Sequence, residues 1–243
     1  MDRRLLQPNW ILATLVMLLV AAIFVWLGLW QLNRLDERRS ENAVGERHSS
    51  EPSTDLDHLL GEADGDYDGI EYRTANVDGT FDVDSEVLVR SQVYRGTAGF
   101  HVITPLIKDD GTAVLINRGW VPLNMDAVPV PAVPIPASGL VEGWVQLTHT
   151  RPPLGPQDPS DGRLVVMSRV NIDRIQQQVD YQLEPVYIVV ERTDGEDLPV
   201  PLALPEFDDE GPHLAYALQW FGFAVILLVG YFFLVRKQLE NSA

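Results

Sequence analysis

The chain has 243 residues, 18 Lys and Arg against 35 Asp and Glu, a formal net charge of −17 and no cysteine. An acidic surface without any basic stripe repels nucleic acid, which excludes that class of partner. The lack of cysteine excludes disulfides, cysteine-based zinc fingers, thiol redox chemistry and thiolate copper sites.

A mean hydropathy near zero conceals two apolar ends and a polar middle. Residues 1–9 read as a short cytoplasmic tail. From Leu5 to Asn33 there is no charged side chain. The apolar run over 10–32 is long enough to cross a hydrocarbon core about 30 Å thick. Trp10 at one end and Trp26 with Trp30 at the other suit an aromatic belt. The run is longer than a signal-peptide core and lacks a small-residue cleavage site, so a retained anchor is expected.

Residues 33–212 read as one extracytoplasmic, β-rich domain. Between Asp36 and Pro212 there are 13 Arg and Lys against 33 Asp and Glu. Asn42–Asp57 reads as a loop, and Leu56, Leu59 and Leu60 read as a short helix. Asp64-Gly65-Asp66-Tyr67-Asp68-Gly69 opens like a calcium loop, but its twelfth position is Ala75 where a bidentate Glu belongs. A solvated acidic loop is the expectation there, and whether the wider acidic segment 55–71 binds cations is left open by the sequence. Strands are expected over Glu71–Val77, Val87–Tyr94, Phe100–Ile107 and Ala113–Val121, the last two a hairpin turned at Asp110-Gly111. Asp126–Ala137, with four prolines, reads as an extended connector. Gly139–Thr148 is another strand, Pro152–Gly162 a loop and Leu164–Met167 a short strand. Asn171–Val179 reads as a helix with Asn171 as N-cap. Pro185–Glu191 is a last strand, followed by a turn at Asp194-Gly195. The fold class is membrane α+β: a two-helix transmembrane hairpin enclosing a barrel- or sandwich-like domain with an inserted helix.

The second membrane segment, 213–235, is free of charge from Leu214 to Val235, and Arg236 and Lys237 begin the tail 236–243. These cations predict a cytoplasmic C-terminus and, for a hairpin, a cytoplasmic N-terminus with Arg3 and Arg4. Arg34, Arg38 and Arg39 argue the other way, but long domains translocate largely regardless of charge. Neither run holds an ionisable group in its interior, which disfavours transport.

No phosphate loop, zinc-protease motif or nucleophile elbow is present. His213 stands out by position, directly before the second apolar run. On a helix, His213, Tyr216, Trp220 and Phe223 fall near one face. By position alone such an imidazole reads first as an interfacial histidine in an aromatic belt, with axial ligation of a haem iron as the less favoured alternative.

Four stretches together resemble the Surfeit locus protein 1 family of cytochrome c oxidase assembly factors. They are Gly28-Leu29-Trp30-Gln31-Leu32-Asn33-Arg34; Tyr72-Arg73 with Gly79-Thr80-Phe81-Asp82; Gly99–Leu106 with Val114–Pro122; and His213–Phe221. The resemblance implies a role in assembling haem-copper oxidases, with haem a bound transiently and passed to the catalytic subunit. It implies His213 as the ligand to haem iron, with Trp30, Gln31, Arg34, Tyr216 and Trp220 as further cofactor-binding positions near the membrane surface. The implied partners are cytochrome c oxidase subunit I, with haem A synthase as a second candidate, and the lipid membrane; the implied location is the plasma (inner) membrane. No catalytic residue is expected. Arg34 suits a haem propionate or an interfacial anchor. Arg118 is expected to pair with a carboxylate inside the domain, and Gly79, Gly99 and Gly119 to be backbone devices. The alternative is a haem-free scaffold that stabilises oxidase subunits.

Overall fold

A computed structural model describes residues 8–130, 139–148, 158–191 and 198–240. The chain divides into two compact units, one of Met1–Val44 with Phe207–Ala243 and one of Gly45–Glu206.

The first unit is a helix pair. Helix α1 spans Pro8–Ser50 and the C-terminal helix, α4, spans His213–Glu240. Both are long and apolar enough to cross a membrane. At 1.5 Å per residue, the 28 residues of α4 exceed the roughly 30 Å needed. Their large side chains are mostly exposed, for example Leu19 and Ile226, as expected where lipid replaces water. Contact between the helices runs through small residues: Ala21 and Gly28 on α1, Ala217 and Ala224 on α4 are buried. Packing rather than hydrophobicity must hold such a pair, and small residues permit close approach. A Cβ on Gly28 would lie 2.4 Å from the Phe221 ring, so that ring fills the place a side chain would take. Phe24 meets Trp220 at 5.7 Å and Phe223 at 5.9 Å between ring centroids. Further along, the hydroxyls of Thr14 and Tyr231 hydrogen-bond.

Helix α1 runs past the expected end of the apolar run and takes in Asn42–Ser50, which had read as loop. The polar extension is rich in good helix formers, and Arg34–Glu37 and Arg38–Glu41 pair at i,i+3 along it. Such pairs supply the local support that apolar periodicity would otherwise signal.

The second unit is built on one nine-stranded mixed sheet. Strand β1 (Thr54–Asp55) leads into helix α2 (Leu56–Ala63), capped by the Asp55 carboxylate, which accepts from the Asp57 and His58 amides. The remaining strands are β2 (Thr74–Val77), β3 (Thr80–Phe81), β4 (Val87–Tyr94), β5 (Thr97–Ile107), β6 (Ala113–Pro122), β7 (Val141–Leu147), β8 (Val166–Met167) and β9 (Leu183–Val190). Helix α3 covers Ile172–Gln176.

Of the two expected architectures, the pairing makes a barrel. β2 pairs with β7, β7 with β9, β9 with β6, β6 with β5, and β5 with β3. Since β2 and β3 are separated only by Asp78-Gly79, the ring closes on itself. An added Cβ at Gly79 would stand 2.4 Å from the Ile107 carbonyl, so this junction requires glycine. Inside lie Ala75, Val77, Leu106, Val114, Ile116, Val145 and Ile188, and Leu56 and Leu59 of α2 join the same core. The opposite face of β4–β6 packs Val87, Val89, Ile103 and Leu115 against Ile172 and Ile175 of α3.

The expected hairpin is present, with Gly111 at φ 85° in its turn. The Asn171 side chain accepts from the Arg174 amide as an N-cap, but the helix ends at Gln176, short of Val179. Tyr72 adopts φ 67°, which delays the strand expected from Glu71 until Thr74. Residues 131–138 of the proline-rich connector, residues 152–157 of the expected loop and the turn at Asp194-Gly195 lie outside the described residues. Asp64 is the left-handed C-cap of α2. Among the described residues, no three His, Cys, Asp or Glu side chains are grouped to hold a metal ion.

Candidate functional site at the polar end of the helix pair

Of the candidate residues, the structure brings Gln31 and His213 into direct contact. His213 is the first residue of α4, where its backbone amide has no intrahelical partner and its side chain stands at the boundary between apolar helix and polar chain. Its Nδ1 lies 2.9 Å from Oε1 of Gln31 on α1. Three residues on, Arg34 donates forward along α1 to Glu37, at 2.5 Å.

Arg34 and His213 line one cleft of about 250 Å³, together with Glu37, Arg38, Glu41, Asp209 and Gly211. Pockets that enclose a small organic ligand run from about 300 to 1,000 Å³. This cleft therefore suits the polar edge of a larger molecule and cannot enclose it. Next to these residues in the chain, Arg39 forms a two-pronged ion pair with Glu210, Nε to Oε1 at 2.7 Å and Nη2 to Oε2 at 2.8 Å. The mutual hydrogen bond holds the Glu210 carboxyl below its ordinary range and the Arg39 guanidinium above its own. Asn42 donates to the Asp209 carbonyl at 3.1 Å. These contacts fix the chain that enters α4 and so aim His213.

The aromatic candidates are distributed differently. Trp220 packs among Phe24 and Phe223. Tyr216 is 47% exposed and Trp30 is 46% exposed. Trp30 follows the buried Gly28 by two residues, about 200° around a helix, and so faces away from α4. It stands where a belt tryptophan would.

Cleft residues Glu37, Glu41, Asp209 and Gly211 were not singled out from the sequence, and Arg38 was read only for its bearing on topology. The only signal for Asp209 and Gly211 was the acidic turn Asp208-Asp209-Glu210-Gly211 immediately before the apolar run.

In the second unit the expected carboxylate partner of Arg118 is Glu86. Their closest approach is 3.3 Å, with both side chains buried. Glu86 also accepts from the Thr104 hydroxyl at 2.7 Å and from the Val130 amide at 2.8 Å. Burial lowers the Arg118 pKa, and Glu86 partly opposes that. Gly79, Gly99 and Gly119 each sit where a side chain would strike a backbone carbonyl, so their role is structural. His101 is pushed down to about 4 by burial and lies 3.4 Å from the Asn117 amide. Lys108 is buried among Asp57, Asp110 and Glu184. Burial lowers its pKa, but the hydrogen bonds and charges of Asp57 and Glu184 win and raise it.

A small barrel in one unit and a pair of membrane-length helices in the other, with a histidine and a charged cleft at the polar end of the pair, define a membrane-associated protein. The chain belongs to the SURF1 family, whose profile matches residues 18–225. An uncharacterized SURF1-like protein of Mycobacterium bovis is 28% identical over 231 residues, covering 93% of this chain and 83% of the relative. A SURF1-like protein of Rickettsia felis is 25% identical over 222 residues, 89% of this chain and 94% of the relative. One from Dictyostelium discoideum is 32% identical over 99 residues, 39% of this chain and 37% of the relative.

Proposed function

We propose that this protein is a non-enzymatic assembly factor for haem-copper cytochrome c oxidase that receives haem a as cargo and passes it toward subunit I. Membership of the SURF1 family is consistent with the assembly role. The observation that carries the haem reading is His213, held through Nδ1 by Gln31 on the rim of a cleft shared with Arg34. A second imidazole nitrogen remains for an iron, and ligating histidines ordinarily have their other nitrogen fixed in this way.

The residues fit such cargo in part. Arg34 and Arg38 offer cations to propionates. Tyr216 and Trp220 lie on the flank of α4 below His213, one and two turns along. Trp30 serves better as a lipid anchor than as a wall of this site. A cleft open on one side favours release, which a carrier needs as much as capture. The cargo supplies an iron with an open coordination position; the chain supplies one imidazole, cations and an apolar border.

The proposed location is the plasma (inner) membrane, both termini cytoplasmic and the barrel outside, supported by Arg236 and Lys237 after the last apolar residues.

The test is a visible absorption spectrum of the detergent-purified protein co-expressed with the haem A biosynthetic enzymes, for wild type and His213→Ala. The expected result is a haem a spectrum in the wild type that is lost or strongly altered in the variant. A wild type that carries no haem yet captures subunit I establishes the scaffold reading instead.

A further inference from the structure

We infer that Gln31 is the positioning residue of His213, fixing the neutral imidazole in the tautomer that carries its proton on Nδ1 and presents Nε2 as a bare lone pair to the cleft. The inference rests on the haem reading for its purpose but not for its test.

Gln31 Oε1 lies 2.9 Å from Nδ1, and a carboxamide oxygen only accepts. With the carboxamide oxygen placed toward the ring, Nδ1 donates, and in a neutral ring Nε2 is then the acceptor. The two residues are 182 positions apart in the chain, so the contact exists only because α1 and α4 pair. Their register is set by Phe221 against Gly28 and by Phe24 against Trp220, within one to two turns of the hydrogen bond. Gln31 itself is half-buried, which limits competition from water for its oxygen.

On the other side of the ring stands Gly211, at φ 66°. A Cβ there would come 3.4 Å from Cδ2 and 3.5 Å from Nε2 of His213. That is ordinary contact distance, so it is the left-handed turn that asks for glycine here. No hydrogen bond or ion pair to Nε2 is found among the described residues. One nitrogen is held by the protein and the other is offered outward.

In water, the neutral imidazole of histidine favours the opposite tautomer, with the proton on Nε2. Gln31 thus reverses the default and removes the cost of reversing it from the binding step. The carboxamide can also be rotated to donate its NH2 to Nδ1, which would leave Nε2–H facing the cleft; this is the rival arrangement.

The test uses full-length, haem-free protein with 15N-labelled histidine in detergent. His213 ring signals are assigned by their loss in His213→Ala, and the two ring nitrogens are read for protonation at a pH where the ring is neutral. The expected wild-type result is Nδ1 protonated and Nε2 bare. Gln31→Leu should move His213 toward the Nε2–H form, and Gln31→Glu, an obligate acceptor, should restore the wild-type pattern. An Nε2–H wild type overturns the inference without any variant. A tautomer unchanged in a folded Gln31→Leu protein also overturns it. Haem a titration of the same samples separates the two claims. The expected tautomer with no haem uptake by any sample sustains the positioning role and sinks the carrier reading. Haem uptake by a wild type holding the Nε2–H form does the reverse.

Discussion

A charge can stay inside a protein only when its partners are complete, and Glu86 shows the requirement met. With a side chain 1% exposed, it accepts from Arg118, Thr104 and the Val130 amide. Removing one partner of such a pair typically costs about 3–5 kcal/mol, because the other charge stays buried and uncompensated. Arg118→Ala should therefore lower unfolding stability by that order, measured by chemical denaturation, while the joint Glu86→Gln/Arg118→Met variant should recover much of the loss. His101 makes a different prediction. Its folded value is pushed down to about 4 by burial, whereas the unfolded ring titrates near its ordinary 6.5. Between those values the unfolded chain binds the extra proton, so stability falls as pH drops from about 6.5 toward 4. The full effect is on the order of 3 kcal/mol. Denaturation midpoints measured across this range should slope for the wild type and flatten for His101→Gln.

At the scale of elements, the helix pair depends on one absent side chain. A Cβ at Gly28 would meet three Phe221 ring atoms between 2.4 and 2.8 Å. Gly28→Leu should overpack the contact and cost about 1–3 kcal/mol. Adding Phe221→Ala should restore part of that, a coupling readable in thermal midpoints of the detergent-solubilised variants. The elements differ in how legible they were. The β5–β6 hairpin was visible because its apolar residues and its Asp110-Gly111 turn are adjacent in the chain. The cap at Asn171 was visible for the same reason. The extension of α1 to Ser50 was not, since Arg–Glu pairs leave no apolar period to read. Barrel closure was also hidden: it depends on β3 reaching β5 and β2 reaching β7, pairings that no local window contains. His213 announced itself by standing at the edge of an apolar run. Its bond to Gln31 did not, because only the paired helices bring the two together.

For the whole molecule, the sequence marks out the ends and the middle by charge alone. The proposed topology makes a direct prediction, and the lack of native cysteine makes the test clean. Single cysteines placed at exposed Leu123 or Leu140 in the barrel unit should react with a membrane-impermeant maleimide in intact cells. One placed at Lys237 should react only after the cells are opened. The reverse pattern would invert the proposed orientation.

The place of β9 in the ring has a consequence for biogenesis. This last strand lies between β6 and β7, parallel to one and antiparallel to the other, and its ladder partners come from far earlier in the chain. Until residues 183–190 arrive, the ring has a gap and β6 and β7 are unpaired along one side. A chain delivered N-terminus first therefore cannot complete this barrel until nearly all of it has emerged. In the proposed topology the ring can therefore close only after residues 183–190 have crossed the membrane.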